Sequence, residues 1–162
     1  MEEMAIRIGN GYDVHQLADG LPLVLGGVQI PFTKGCVAHS DGDALIHALC
    51  DALLGALALG DIGQHFPDTD DSYKGIDSRI LLRKTRALIA EKGYAISNVD
   101  CTLLLQKPKV APYIGEMRNR LAADMEISVN RVSVKATTTE HLGYEGRGEG
   151  VSAMATVLLI KQ

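Results

Sequence analysis

The chain has no tryptophan, five tyrosines and two phenylalanines among 162 residues. With so few aromatic rings, stacking on nucleic-acid bases is excluded as a dominant theme. A basic excess is also missing. The net charge is −4, and the scattered basic residues form no polyanion track. Cysteine is scarce: Cys36, Cys50 and Cys101 are odd in number, widely spaced and lack a Cys-x-x-Cys pair. That argues against a disulfide framework and for a reducing compartment. Cys50 and Cys101 fall in apolar stretches and read as packing residues. No apolar run approaches the ~18 residues of a membrane span. Met1-Glu2-Glu3-Met4 is acidic and has no apolar signal core, so a cytoplasmic protein is expected. Gly-x-Ser-x-Gly is absent and no Ser/His/Asp set is indicated, which removes the usual nucleophile chemistries. Repeats, low-complexity stretches and linkers are absent too, so one domain over residues 1–162 is expected.

What is present is a globular alternation of strand and helix signals. Hydrophobic residues make up 46% and charged residues 22%, enough to bury a core. Strands are expected at Ala5 to Gly11, Ile96 to Gln106, Arg131 to Thr138 and Val151 to Ile160. A small hairpin is expected at Leu23 to Ile30, turning on Gly26-Gly27. Helices are expected at Asp41 to Leu59 behind a Ser40 cap, at Ser78 to Lys92, and at Tyr113 to Met125. Asp61 to Lys74 reads as a polar, mobile loop beside a site. Glu140 to Gly150 reads as a glycine-rich connection between antiparallel strands. It lacks the strand–loop–helix context of a nucleotide fingerprint. The sum is an α/β (α+β two-layer) fold: a mixed sheet of about four main strands, helices on one face, and the hairpin.

Asp13-Val14-His15 follows the first strand signal. Residues two apart on an extended chain point to one side, so a carboxylate and an imidazole share that side. His47, on the first helix, could supply a third ligand. Three protein ligands and one open position is the layout of a catalytic zinc. Asp51, four residues on, is either the acceptor for the second His47 nitrogen or a solvated partner. His39-Ser40-Asp41-Gly42-Asp43 is either a plain helix cap or a phosphate spot built from free N–H groups. Lys135-Ala136-Thr137-Thr138-Thr139-Glu140 is either an ordinary strand end or a diphosphate site. In the second reading the threonines donate to phosphate and Glu140 holds a hard cation.

These blocks lie in an order that resembles one family, the 2-C-methyl-D-erythritol 2,4-cyclodiphosphate synthases of the non-mevalonate isoprenoid pathway. The resemblance runs from Arg7 to Lys161. It rests on Arg7 to His15, on His39 to Asp43 with His47, on Gly60 to Gly63 with Phe66 to Asp70, on Lys107-Pro108-Lys109, and on Lys135 to Glu149. Asn10 stands where some members carry histidine, away from any ligand position.

The resemblance implies zinc on Asp13, His15 and His47, and magnesium or manganese on Glu140. It implies phosphate binding by His39 and Ser40, diphosphate binding by Thr137 and Thr138, and a ribose contact at Asp61 and Gly63. The cytosine pocket would be Leu105, Lys109, Val110, Ala111 and Ala136. Asp70, Tyr144 and Arg147 join the substrate-binding set, and Tyr144 is a candidate to line an apolar cavity on a trimer axis. The implied assembly is a homotrimer with sites between subunits, binding a cytidine diphosphate-linked substrate and neither nucleic acid nor membrane. The implied reaction is intramolecular attack of a 2-phosphate on a β-phosphate, releasing CMP. Two rivals stand beside it. A zinc-dependent phosphoester hydrolase would release inorganic phosphate. A non-catalytic isoprenoid-diphosphate binding module would release no CMP.

Overall fold

The first strand runs well past its apolar signal. The structure, a computed structural model, describes residues 5–162; the acidic Met1-Glu2-Glu3-Met4 start lies outside the described residues. Strand β1 spans Ile6–Asp19 instead of stopping at Gly11. Its extension is held by pairing. Ile6 to Gln16 pair antiparallel with strand β7 (Gly150–Lys161), and Leu17 to Asp19 pair with β4 (Lys34–Cys36). Asp13 and His15 therefore lie inside a strand and share one of its faces.

β4 makes the sheet five-stranded where about four strands were expected. The order is β4-β1-β7-β5-β6, with β5 at Tyr94–Leu104 and β6 at Val132–Thr137. β5 and β6 are parallel, which demands a crossover; helix α4 (Ile114–Met125) supplies it. β6 and β7 are not neighbours, because β5 lies between them. The Glu140 to Gly150 segment is therefore not a tight turn; it crosses over β5 and folds into a one-turn helix, α5 (Gly143–Gly146), on the way. The hairpin stands as expected. β2 (Leu23–Leu25) and β3 (Val28–Ile30) turn on Gly26 and Gly27, both at positive φ.

Helix α1 (Ala44–Ala56) is the centre of the core. Leu45, Ile46, Leu49, Leu53 and Leu54 are fully buried, each worth about 1.5–3 kcal/mol. Of its thirteen residues only His47, Asp51 and Gly55 are not buried. At four-residue spacing they form one stripe. The helix thus shows the site a single face and the core all the others. Its start differs from expectation. Asp43 is the cap, not Ser40, and its buried carboxylate accepts N–H groups from Ile46, Gly26 and Gly27 at 3.0, 2.9 and 2.7 Å. One carboxylate so ties the hairpin to the helix N-terminus.

α1 lies unusually close to β1. A Cβ on Gly9 would sit 2.0 Å from the Ala52 carbonyl oxygen, and one on Gly11 1.8 Å from that of Ala48. Only glycine allows this approach. Helix α3 (Ser78–Glu91) packs on α1 and α4. Its Arg79 and Arg83 grip the buried Asp124 of α4 at 2.7 and 2.9 Å. All three long helices lie on one face of the sheet. The other face carries Ile8, Tyr12, Val14 and Met154, all exposed. The Asp61 to Lys74 segment is more ordered than a plain loop. It forms α2 (Ile62–His65) and a 3-10 turn at Asp71–Tyr73, capped by Asp61 and Asp70. Among the described residues no helix is long and apolar enough to cross a membrane.

Candidate active site

The glycine-lined contact of β1 with α1 decides the site. It places His47, on α1, against Asp13 and His15, on the helix-facing side of β1. Asp13 Oδ2 lies 2.9 Å from His15 Nε2 and 3.1 Å from His47 Nδ1. The two imidazole nitrogens are 3.1 Å apart, with the rings edge to face. Three donor atoms about 3 Å apart nearly match one face of a tetrahedral shell, whose edges are roughly 3.3 Å for bonds of about 2.0–2.1 Å. Two imidazoles and a carboxylate suit a borderline divalent ion. The three residues fit a divalent metal ion.

Electrostatics agree. Burial alone raises the Asp13 pKa, but hydrogen bonds and charge from His15 and His47 outweigh it and hold the carboxyl down at about 2. Burial lowers the His47 pKa, and the Asp13 hydrogen bond, with the charges of Asp13, Asp43 and Asp41, reverses that and raises it. The site is a concentration of negative charge that favours a cation.

The second nitrogen of His47 is also occupied. Nε2 lies 2.9 Å from Ser78 Oγ and 3.1 Å from Ser40 Oγ. Ser78 donates its hydroxyl to Asp41 Oδ1 at 2.5 Å and its backbone N–H to Asp41 Oδ2 at 3.0 Å. Asp51 is therefore neither the acceptor for His47 nor a solvated partner. Its Oδ1 accepts the Ile62 N–H at 2.7 Å and anchors α2. Sequence reasoning missed Ser78, which looked like an ordinary helix start, and treated Asp41 as a first-turn residue. No local signal links residues 37 positions apart. The glycines at positions 9 and 11 were a usable signal, since glycine two apart inside a strand marks a close backbone approach.

A cavity of about 410 Å³ opens beside the triad. His39, Ser40 and Gly63 line it with His15 and His47, and Ile62, Phe66 and Tyr73 give it an apolar wall. Asp61 caps α2 through its Oδ1 and lies in a neighbouring cleft with Asp51. Asp70 accepts the Ser72 N–H with its carboxylate, and its carbonyl oxygen lies 3.1 Å from His39 Nε2.

The remaining candidates gather elsewhere. Leu105, Lys109, Val110, Ala111, Ala136, Thr137 and Thr138 line a second, smaller pocket of about 150 Å³. Glu140 follows it, exposed and at φ +54, with His141 at φ +62. Two consecutive non-glycine residues in the left-handed region are strained. Gln106, which sequence reasoning passed over, steadies them by accepting the His141 N–H at 3.1 Å. β1 and β6 are three strand spacings apart, about 14 Å. Asp13 and His15 face the helices, whereas Thr137 alternates with buried Val132 and Val134 and faces the other way. One chain does not bring the two groups together. Tyr144 reaches that free face too. Its hydroxyl lies 2.6 Å from those of Tyr12 and Ser152. Arg147 is paired with Glu149 at 3.1 Å.

A one-sided mixed sheet with a carboxylate–imidazole–imidazole cluster at its strand–helix seam defines a two-layer α/β protein with a candidate metal site. Comparison with known proteins narrows the class. The chain belongs to the YgbB family, whose model matches residues 6–160. It is 58% identical over 154 residues to the 2-C-methyl-D-erythritol 2,4-cyclodiphosphate synthase of Geobacter metallireducens, covering 95% of this chain and 98% of that one. It is 60% identical to the same-named protein of Methylococcus capsulatus, covering 96% and 99%. A solved CDP complex of Plasmodium falciparum IspF superposes with a TM-score of 0.87 at 36% identity, covering 99% of each chain.

Proposed function

We propose that this protein converts 4-diphosphocytidyl-2-C-methyl-D-erythritol 2-phosphate to the 2,4-cyclodiphosphate with release of CMP. The observation that carries the reading is the convergence of Asp13, His15 and His47 beside a partly apolar cavity of about 410 Å³. High-identity relatives named for this synthesis support it. The alternatives, a hydrolase and a binding module, have no such support.

In this reading a 2-phosphate oxygen attacks the β-phosphorus. The bond from that phosphorus to the bridging oxygen breaks, and CMP leaves with the electron pair. Both reacting groups are anions, so positioning and charge neutralisation carry the catalysis. Zinc on Asp13, His15 and His47, with magnesium or manganese on Glu140, supplies Lewis-acid withdrawal of phosphate charge when bound. His39 and Ser40 hold the 2-phosphate. Thr137 and Thr138 donate to the diphosphate, and Thr138 steadies the departing phosphate. Asp61 and Gly63 meet the ribose. Leu105, Lys109, Val110, Ala111 and Ala136 form the cytosine pocket, and Asp70, Tyr144 and Arg147 complete the substrate-binding set. No side-chain nucleophile is required.

The triad and the second pocket stand on strands three spacings apart in one sheet, which supports a site completed by a neighbouring copy. The exposed Ile8, Tyr12, Val14 and Met154 face supports a homotrimer packed through that surface. The reading is of one cytoplasmic domain. Incubating the purified protein with the cytidylyl substrate, zinc and magnesium tests it. CMP and a cyclic diphosphate are expected in equal amounts. Inorganic phosphate would mean a hydrolase, and no CMP would mean a binding module.

A further inference from the structure

We infer that Ser78 and Asp41 are positioning residues for the metal ligand His47, and that they free Ser40 for substrate. The inference rests on the metal site proposed above and adds a buried relay behind it. An imidazole that binds metal through Nδ1 must carry its proton on Nε2, and an acceptor there fixes tautomer and ring plane. Two hydroxyls compete for that N–H. Ser78 Oγ is at 2.9 Å and Ser40 Oγ at 3.1 Å.

The two hydroxyls are not equivalent. Ser78 is fully buried, and both oxygens of Asp41 hold it through its hydroxyl at 2.5 Å and its backbone N–H at 3.0 Å. With its proton committed to Asp41, the Ser78 oxygen can only accept from His47. Asp41 is held in turn, because its Oδ1 also accepts the Asp43 N–H at 3.1 Å. Ser40 is half-buried, accepts a long bond from the Gly42 N–H at 3.3 Å, and lines the 410 Å³ cavity. It can turn toward a bound phosphate without leaving His47 unpartnered. The chain Asp41–Ser78–His47 joins the loop before α1, the first residue of α3 and the metal-facing stripe of α1. Ordering of α3 therefore sets the ligand.

The test is metal affinity, measured by competition with a chromophoric chelator on the full-length protein. Ser78→Ala is expected to weaken zinc binding about 10- to 100-fold, the range for outer-shell partners of metal ligands, with an unchanged circular dichroism spectrum. Asp41→Asn, which keeps the volume and loses one acceptor, is expected to weaken it by a smaller factor. Ser40→Ala is expected to change zinc affinity less than about two-fold. Nitrogen-15 imidazole spectra of the zinc-loaded wild type are expected to show His47 protonated at Nε2, and those of Ser78→Ala a shifted Nε2 resonance. Wild-type affinity in folded Ser78→Ala overturns the inference, as do equal losses in Ser78→Ala and Ser40→Ala. If Ser78→Ala does not fold, unchanged affinity in Asp41→Asn overturns it. Failure of the wild type itself to bind zinc overturns the metal site instead.

Discussion

The helix-facing seam and the β6 end of this molecule carry similar polar residues in opposite states. At the seam, Asp13, His15 and His47 are drawn together by the β1–α1 contact and braced from behind by Ser78 and Asp41. At the β6 end, Thr137, Thr138 and Glu140 are exposed and bond mainly to their own neighbours: Thr137 Oγ1 to the Thr138 carbonyl, and the Glu140 N–H to Thr138 Oγ1. The first region is organised by core packing before anything binds. The second is open to solvent and shaped by strained backbone at positions 140 and 141. Rigid ligands set by a core suit a resident ion, whereas exposed donors suit an incoming substrate.

The largest expected effect comes from breaking the seam. His47→Ala should lose zinc and turnover together, each by more than about 100-fold, since a ligand counts for more than an outer-shell partner. Metal analysis alongside CMP release checks this, and wild-type turnover in a zinc-free variant would remove the role. Glu140→Ala should keep zinc yet abolish the dependence on magnesium or manganese, with kcat down by roughly 100-fold. An unchanged metal titration curve would detach Glu140 from the second ion. Gly11→Ala probes how the seam is built. The added Cβ meets the Ala48 carbonyl at 1.8 Å, so α1 must move, costing about 1–3 kcal/mol. Urea unfolding should show that loss together with weaker zinc binding. A stable variant with full zinc affinity would mean the close approach does not set the ligands.

The smallest effect is one of pH. The folded-state pKa of Asp13 is depressed from 3.8 to about 2. Its contribution is therefore complete above pH 3.8 and is lost as pH falls toward 2, amounting to about 2 kcal/mol. In metal-free protein, the stability gap between wild type and Asp13→Asn should close across that interval. A gap that stays constant would count against the pairing. His47 has the opposite sign. Its pKa is raised above 6.5, so its contribution is present below that value and lost as pH rises through the folded value. Metal needs the neutral imidazole, so zinc affinity should fall on acidification.

Much of the fold was legible because periodicity and punctuation carry it. The hairpin turn at Gly26-Gly27, the helices near 78–91 and 114–125, and the burial of Cys50 and Cys101 all follow from local pattern. The length of β1, the short β4 and the separation of β6 from β7 did not, because pairing partners distant in sequence set them. The cap of α1 was misread for a related reason. Ser40 has the right chemistry, but Asp43 has three N–H groups to satisfy, two of them from a hairpin sixteen and seventeen residues away. In the site, the ligand residues stood out by type. Their outer partners did not, since serine and aspartate occur everywhere and only proximity gives them a task.

The amino-acid order alone determined which side chains could bind an ion or a phosphate, where the helices and most strands lie, and which family pattern the chain follows. Those are properties of residue type, spacing and periodicity. Only the tertiary structure decided that Asp13 and His15 meet His47, that Ser78 rather than Asp51 stands behind it, and that the threonine pocket lies three strands away from them. Distances between remote residues are set by how a whole core packs, and no local stretch of chain contains that information.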